Sequence, residues 1–119
     1  EMQAASLLAK LESQDPRAMS ARDTIQMATL DGARALGLDH VTGSLEPGKS
    51  ADFIALDFTH LGMEPNHQIE SNLVYANLGS EVTWSWIAGK NVVKNRQLQT
   101  LDSDALHHKA AAWRGKLSP

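Results

Sequence analysis

The chain has 119 residues, 42% of them apolar and 21% charged, with a formal net charge of −3. This is about one domain of ordinary globular composition, and its slightly acidic balance excludes a nucleic-acid or anionic-membrane surface, which needs a basic excess. Zero cysteines exclude disulfides and thiolate metal sites; no run of 18 apolar residues is present to span a membrane, no basic-then-apolar leader is visible, and a cytoplasmic location is expected.

The chain opens directly in helical pattern. Ala4, Leu7, Leu8 and Leu11 fall at i, i+3, i+4 and i+7, one stripe of an amphipathic helix, with no capping residue before it. The opening therefore reads as cut. Turn chemistry in "SQDPRAMS" ends this helix near Ser13 to Pro16. Ser20 and Asp23 then form a capping-box-like pair that starts a second helix through "ARDTIQMATLDGARALGL". Its small residues, Ala28, Gly32, Ala33 and Ala35, predict close packing against a neighbour. Gly37 reads as the left-handed residue after the helix, with Leu38 folding back on Ala33 in a Schellman-type stop.

From Asp39 to Ser50 the residues Gly43, Pro47 and Gly48 predict loops and short extended pieces. "ADFIALD" is a nearly continuous apolar run bounded by turns, which suits a strand covered on both faces. Thr59 to Gln68 is expected to be irregular, and Ile69 to Ala76 to form a short helix. In "EVTWSWIA", Val82, Trp84, Trp86 and Ala88 face one way. Gly89-Lys90 fits a two-residue II′ turn, so 81–94 reads as a hairpin with "NVV" as the return strand. A last helix begins between Thr100 and Ser103 and docks through Leu106, Ala110, Trp113 and Leu117. Two or three strands make only a small sheet. The Val82/Trp84/Trp86 face and the Ala4/Leu7/Leu8/Leu11 stripe therefore ask for cover from another segment, and both should be exposed in the chain alone.

The candidate chemistry is thin. The histidines are His40, His60, His67, His107 and His108, with no His-x-His pair and no His-Glu-x-x-His helix. His60, Glu64 and His67 would share a helical face, but Gly62 and Pro65 break any helix there, which favours a solvated loop. His107 and His108 are adjacent on a helix and diverge by about 100°. "GSLEPGKS" satisfies the letters of a phosphate loop. A strand rather than a helix follows it, so no helix N-terminus is available to hold an anion, and a turn entering a strand is the better reading. Asp52 and Asp57 lie on opposite faces of a strand and roughly 16 Å apart, too far to share acid–base work. Trp84 and Trp86 read as core in preference to a ligand platform.

Taken together, "MATLDGARALGLDHVTGSLEPGKSADFIALD" followed by "VYANLGSEVTWSWIAGKNVVKNRQLQTLD" strongly resembles the C-terminal end of the amidohydrolase superfamily. The nearest branch holds the 5-methylthioadenosine/S-adenosylhomocysteine deaminases and the triazine and N-ethylammeline chlorohydrolases. The resemblance implies an α/β architecture: the last helices of a metal-bearing (β/α)₈ barrel (1–38), the C-terminal part of a composite β-sandwich (39–100) and a terminal helix (101–119). It implies a parent enzyme in which zinc or iron activates a water that attacks a purine-like ring and expels ammonia. The family's His-x-His pair, its two further histidines and its aspartate would all precede Glu1. No catalytic, cofactor-binding or metal-ligating residue is therefore assigned to any position here. The expected partners are the N-terminal remainder of the parent and a small heterocyclic substrate, with the parent free to form homo-oligomers. A chlorohydrolase or another aminohydrolase of the same superfamily, and an autonomous binding module built on the Trp hairpin, are the rival expectations.

Overall fold

The structure is a computed structural model and describes residues 1–76 and 82–117. The first helix, α1 (Met2–Ser13), ends where Gln14 turns left-handed (φ 53°) and its N–H bonds to the Leu11 carbonyl. The next helix is launched by a complete capping box: the Asp23 N–H donates to Ser20 Oγ at 3.2 Å, and the Ser20 N–H donates to Asp23 Oδ2 at 3.1 Å. Two orphan N–H groups of the first turn are satisfied by two short side chains.

This second helix is one rod of three parts: α2 (Ala21–Gln26), a π-helical turn over Met27–Asp31, and α3 (Gly32–Ala35). The π turn was not legible from periodicity. Gly32 lies at its end, where an added Cβ would stand 3.2 Å from the Met27 carbonyl oxygen. The contact that singles out Gly32 is thus with its own widened helical turn, where close packing against a neighbouring element was expected. The rod stops as expected: Gly37 has φ +70°, its N–H reaches the Arg34 carbonyl at 2.9 Å, and the Leu38 N–H reaches the Ala33 carbonyl at 2.8 Å. That pair of bonds is the Schellman motif.

Four antiparallel strands follow in the order β1-β2-β3-β4: β1 (Phe53–Leu56), β2 (Val82–Ile87), β3 (Lys90–Lys94) and β4 (Gln97–Leu98). The sheet is larger than the two or three strands expected, because a second tight turn at Asn95–Arg96, both at positive φ, adds β4. The first hairpin turn also differs from expectation. Ile87 pairs with Lys90, so the loop is Ala88-Gly89, with φ +49° and +74°. Two positive φ values make it a type I′ turn, whose twist suits a hairpin, in place of a II′ turn at Gly89-Lys90. The expected start of the hairpin at Glu81 lies outside the described residues. Between β1 and β2 a 3₁₀ turn (Leu61–Met63) leads to α4 (Ile69–Ser71) and a second π turn (Asn72–Ala76), matching the irregular stretch and short helix read from the sequence.

Cover is scarce. Among the described residues the buried apolar side chains are Ala21, Ala33, Met63 and Val74, at the junction of the helical rod with α4 and the loops. Leu7, Leu8 and Leu11 are exposed by 51%, 63% and 74%, and Ala4 is exposed too, as expected of an unpartnered stripe. The Trp face behaves otherwise. Val82, Trp84 and Trp86 are half-buried, because the rings cover one another: Phe53 stacks on Trp86 with centroids 4.5 Å apart, and Trp84 on Trp86 at 5.7 Å. The register explains the ladder, since Phe53 pairs with Trp86 and Ala55 with Trp84 across β1 and β2, and facing aromatics on paired strands meet. The terminal helix α5 (Ser103–Leu117) is capped by Asp102, whose Oδ1 accepts the N–H groups of Asp104 and Ala105 at 3.0 Å. Among the described residues it does not dock by its stripe: Ser103 to Lys116 are all exposed, Leu106 by 44% and Trp113 by 62%, and the Leu117 side chain lies outside the described residues. The radius of gyration is 18.0 Å, against about 14 Å for a compact domain of this length.

Candidate functional site

The segment between the helical rod and β1 is held by specific contacts at both ends. Gly43, at φ +91°, is pressed onto the rod: a Cβ built there would lie 2.7 Å from the Ala33 Cβ and 3.1 Å from the Leu30 Cα. Glycine is required there for its backbone conformation and for the missing side chain. The loop beyond it is closed by the Ser50 N–H on the Val41 carbonyl at 2.8 Å. Inside, Lys49 Nζ donates to Ser44 Oγ at 2.6 Å and faces Glu46 at 3.5 Å, while Ser44 Oγ donates to Glu46. The Ser44 hydroxyl first, then the Lys49 ammonium, hold the Glu46 carboxyl below its usual range. Here the lysine of "PGKS" is spent on its own loop, and a strand follows it. This is a turn entering a sheet, as read, with none of the helix geometry that a phosphate site needs.

Asp52, read from the sequence only as one of two separated carboxylates, has a structural role that the sequence reading missed. Its Oδ1 accepts the Ala88 N–H at 2.6 Å and its Oδ2 accepts the Thr42 hydroxyl at 3.0 Å. The neighbouring Ala51 carbonyl accepts the Gly89 N–H at 3.1 Å. The start of β1 therefore grips the tip of the β2–β3 hairpin 36 residues later and ties it to the loop that leaves the helical rod. The donors are the amides of a type I′ turn, which point outward and need an acceptor. Asp57 at the other end serves different partners: Thr59 through its backbone N–H and hydroxyl, and Arg96 at 3.7 Å. The hydrogen bond from the Thr59 hydroxyl is the main cause that holds its pKa down. Asp52 and Asp57 thus serve separate partners at the two ends of the strand.

A second polar knot joins α1 to the segment 69–76. Ser6, fully buried, donates from Oγ to the Met19 carbonyl at 2.9 Å and lies 2.7 Å from the Tyr75 hydroxyl. Lys10 Nζ donates to Ser6 Oγ at 3.1 Å, to the Met19 carbonyl at 2.8 Å and to the Ala18 carbonyl. These three acceptors match the three hydrogens of the Lys10 ammonium. Ser6 and Lys10 are an i,i+4 pair visible on the helix, but Tyr75, 69 residues from Ser6, gives no local signal.

Between the rod, the Gly43 loop and the sheet lies an open apolar cleft of about 730 Å³, lined among others by Ala28, Leu36, Leu45, Ile54 and Ile87. Its lining is mainly apolar, with Phe53 and Trp86 beside the aliphatic side chains and Thr29, Thr42, Ser44, Asp52 and Ser85 among them, and Leu36, Leu45 and Ile54 are exposed. Most of its polar members are bonded within the chain: Asp52 to Thr42 and the Ala88 N–H, Ser44 to Glu46 and Lys49, and Thr29 to the Ile25 carbonyl. A metal centre is not built here either: among the described residues no three histidine, aspartate or glutamate side chains stand where they could hold an ion. His60, Glu64 and His67 lie along the 3₁₀ turn and the loop after it, and His107 and His108 are exposed on α5.

A helical rod thus stops on a Schellman glycine, crosses by a clamped loop and enters an antiparallel sheet. Residues 1–92 match the amidohydrolase family, and the chain belongs to that family. It is 47% identical over 117 residues to a 5-methylthioadenosine/S-adenosylhomocysteine deaminase of Teredinibacter turnerae, a match covering 98% of this chain and 26% of that protein. The corresponding protein of Saccharophagus degradans is 45% identical over the same shares. Among solved structures, a zinc-bound adenosine deaminase from Xanthomonas campestris superposes with a TM-score of 0.91 and 41% identity, covering 98% of this chain and 26% of that one. An atrazine chlorohydrolase from Arthrobacter aurescens, crystallised with zinc, superposes with a TM-score of 0.78 over 93% of this chain and 25% of its own, at 23% identity, a likeness of fold alone. The chain spans about a quarter of the length of these relatives.

Proposed function

We propose that this chain is the C-terminal segment of a metal-dependent amidohydrolase that removes ammonia hydrolytically from a purine-like ring of the 5-methylthioadenosine or S-adenosylhomocysteine type. The observation that carries this reading is the 47% identity across 98% of the chain to a deaminase of which it spans 26%. In that reading residues 1–38 are the last helices of a (β/α)₈ barrel, 39–100 the C-terminal part of a composite β-sandwich, and 101–119 a terminal helix, in a cytoplasmic enzyme. The segment's role is structural. The exposed leucines of α1, the cleft beside Ile54 and the stripe of α5 are surfaces for the rest of the enzyme, and the Asp52 clamp fixes the sheet against the helical rod. A bound zinc or iron would supply the activated water from residues outside this segment; among the described residues no three histidine, aspartate or glutamate side chains stand where they could hold it.

The test is ammonia release from 5-methylthioadenosine and S-adenosylhomocysteine by the full-length protein, before and after chelation and metal return, alongside the 119-residue chain alone. The expected result is metal-dependent release by the full-length protein and none by the chain. Activity in the isolated chain overturns the structural role. A full-length protein that dechlorinates a triazine and leaves both nucleosides intact overturns the substrate assignment.

A further inference from the structure

We draw no further inference here: the strongest candidate, the apolar cleft between the helical rod and the sheet around Leu36, Leu45, Ile54 and Ile87, belongs to the docking surface already described, and nothing in the structure shows a second occupant.

Discussion

Gly43 and Gly48 form a natural controlled pair. Their backbones are nearly the same, with φ +91° and +94°, but an added Cβ at Gly48 meets nothing within 4 Å, whereas at Gly43 it meets the Ala33 Cβ at 2.7 Å. Alanine at either position carries the backbone strain of a left-handed conformation, about 1 kcal/mol. Only at Gly43 does it also force two carbons more than an ångström inside their optimal separation, and its other close neighbours, the Leu30 Cα and the Thr29 carbonyl oxygen, are backbone. The helix cannot yield cheaply, so an overpacking cost of about 1–3 kcal/mol is added. Gly48→Ala should therefore cost about 1 kcal/mol and Gly43→Ala about 2–4 kcal/mol. Urea unfolding of the full-length protein and of both variants measures this directly. Equal losses for the two variants would refute the claim that Gly43 is held by contact with the helix as well as by its backbone angle.

Gly37→Val should lower thermal stability by about 1–2 kcal/mol, because the Schellman stop needs a left-handed residue and the site offers no new contact in return; an unchanged melting temperature removes that assignment. Asp52→Ala should speed hydrogen exchange at the Ala88 amide about tenfold, since the clamp is a charge-assisted bond at the surface, while Asp52→Asn keeps an acceptor and should change it little. The Asp23 carboxyl is held below the ordinary aspartate value of 3.8, chiefly by the Ser20 hydroxyl. A depressed carboxylate contributes stability that is present above 3.8 and is lost as pH falls through its lower folded value. NMR titration should show the Ser20 amide losing protection in that acidic window, and an Asp23→Asn variant should lose this pH dependence.

The two helix stops, the capping box and the principal strands were legible because each depends on neighbours within about six residues. Ser20 and Asp23 are three apart, and Gly37 closes bonds to Arg34 and Ala33. The hairpin was legible as a hairpin, but its turn type was not: the register that pairs Ile87 with Lys90 is set by β1 and the Asp52 clamp as well as by the Gly.

By itself the sequence determined the local grammar: where helices begin and end, which runs are extended, which stripes are apolar, and which family those motifs resemble. The tertiary structure alone decided that Trp84, Trp86 and Phe53 cover one another, that α5 lies undocked among the described residues, that Gly43 rests on Ala33, and that Asp52 holds a turn 36 residues away. Those outcomes depend on register and on the distance between elements. Neither is fully carried by side-chain periodicity, because a two-residue slip changes every partner while keeping the same apolar residues on the same face.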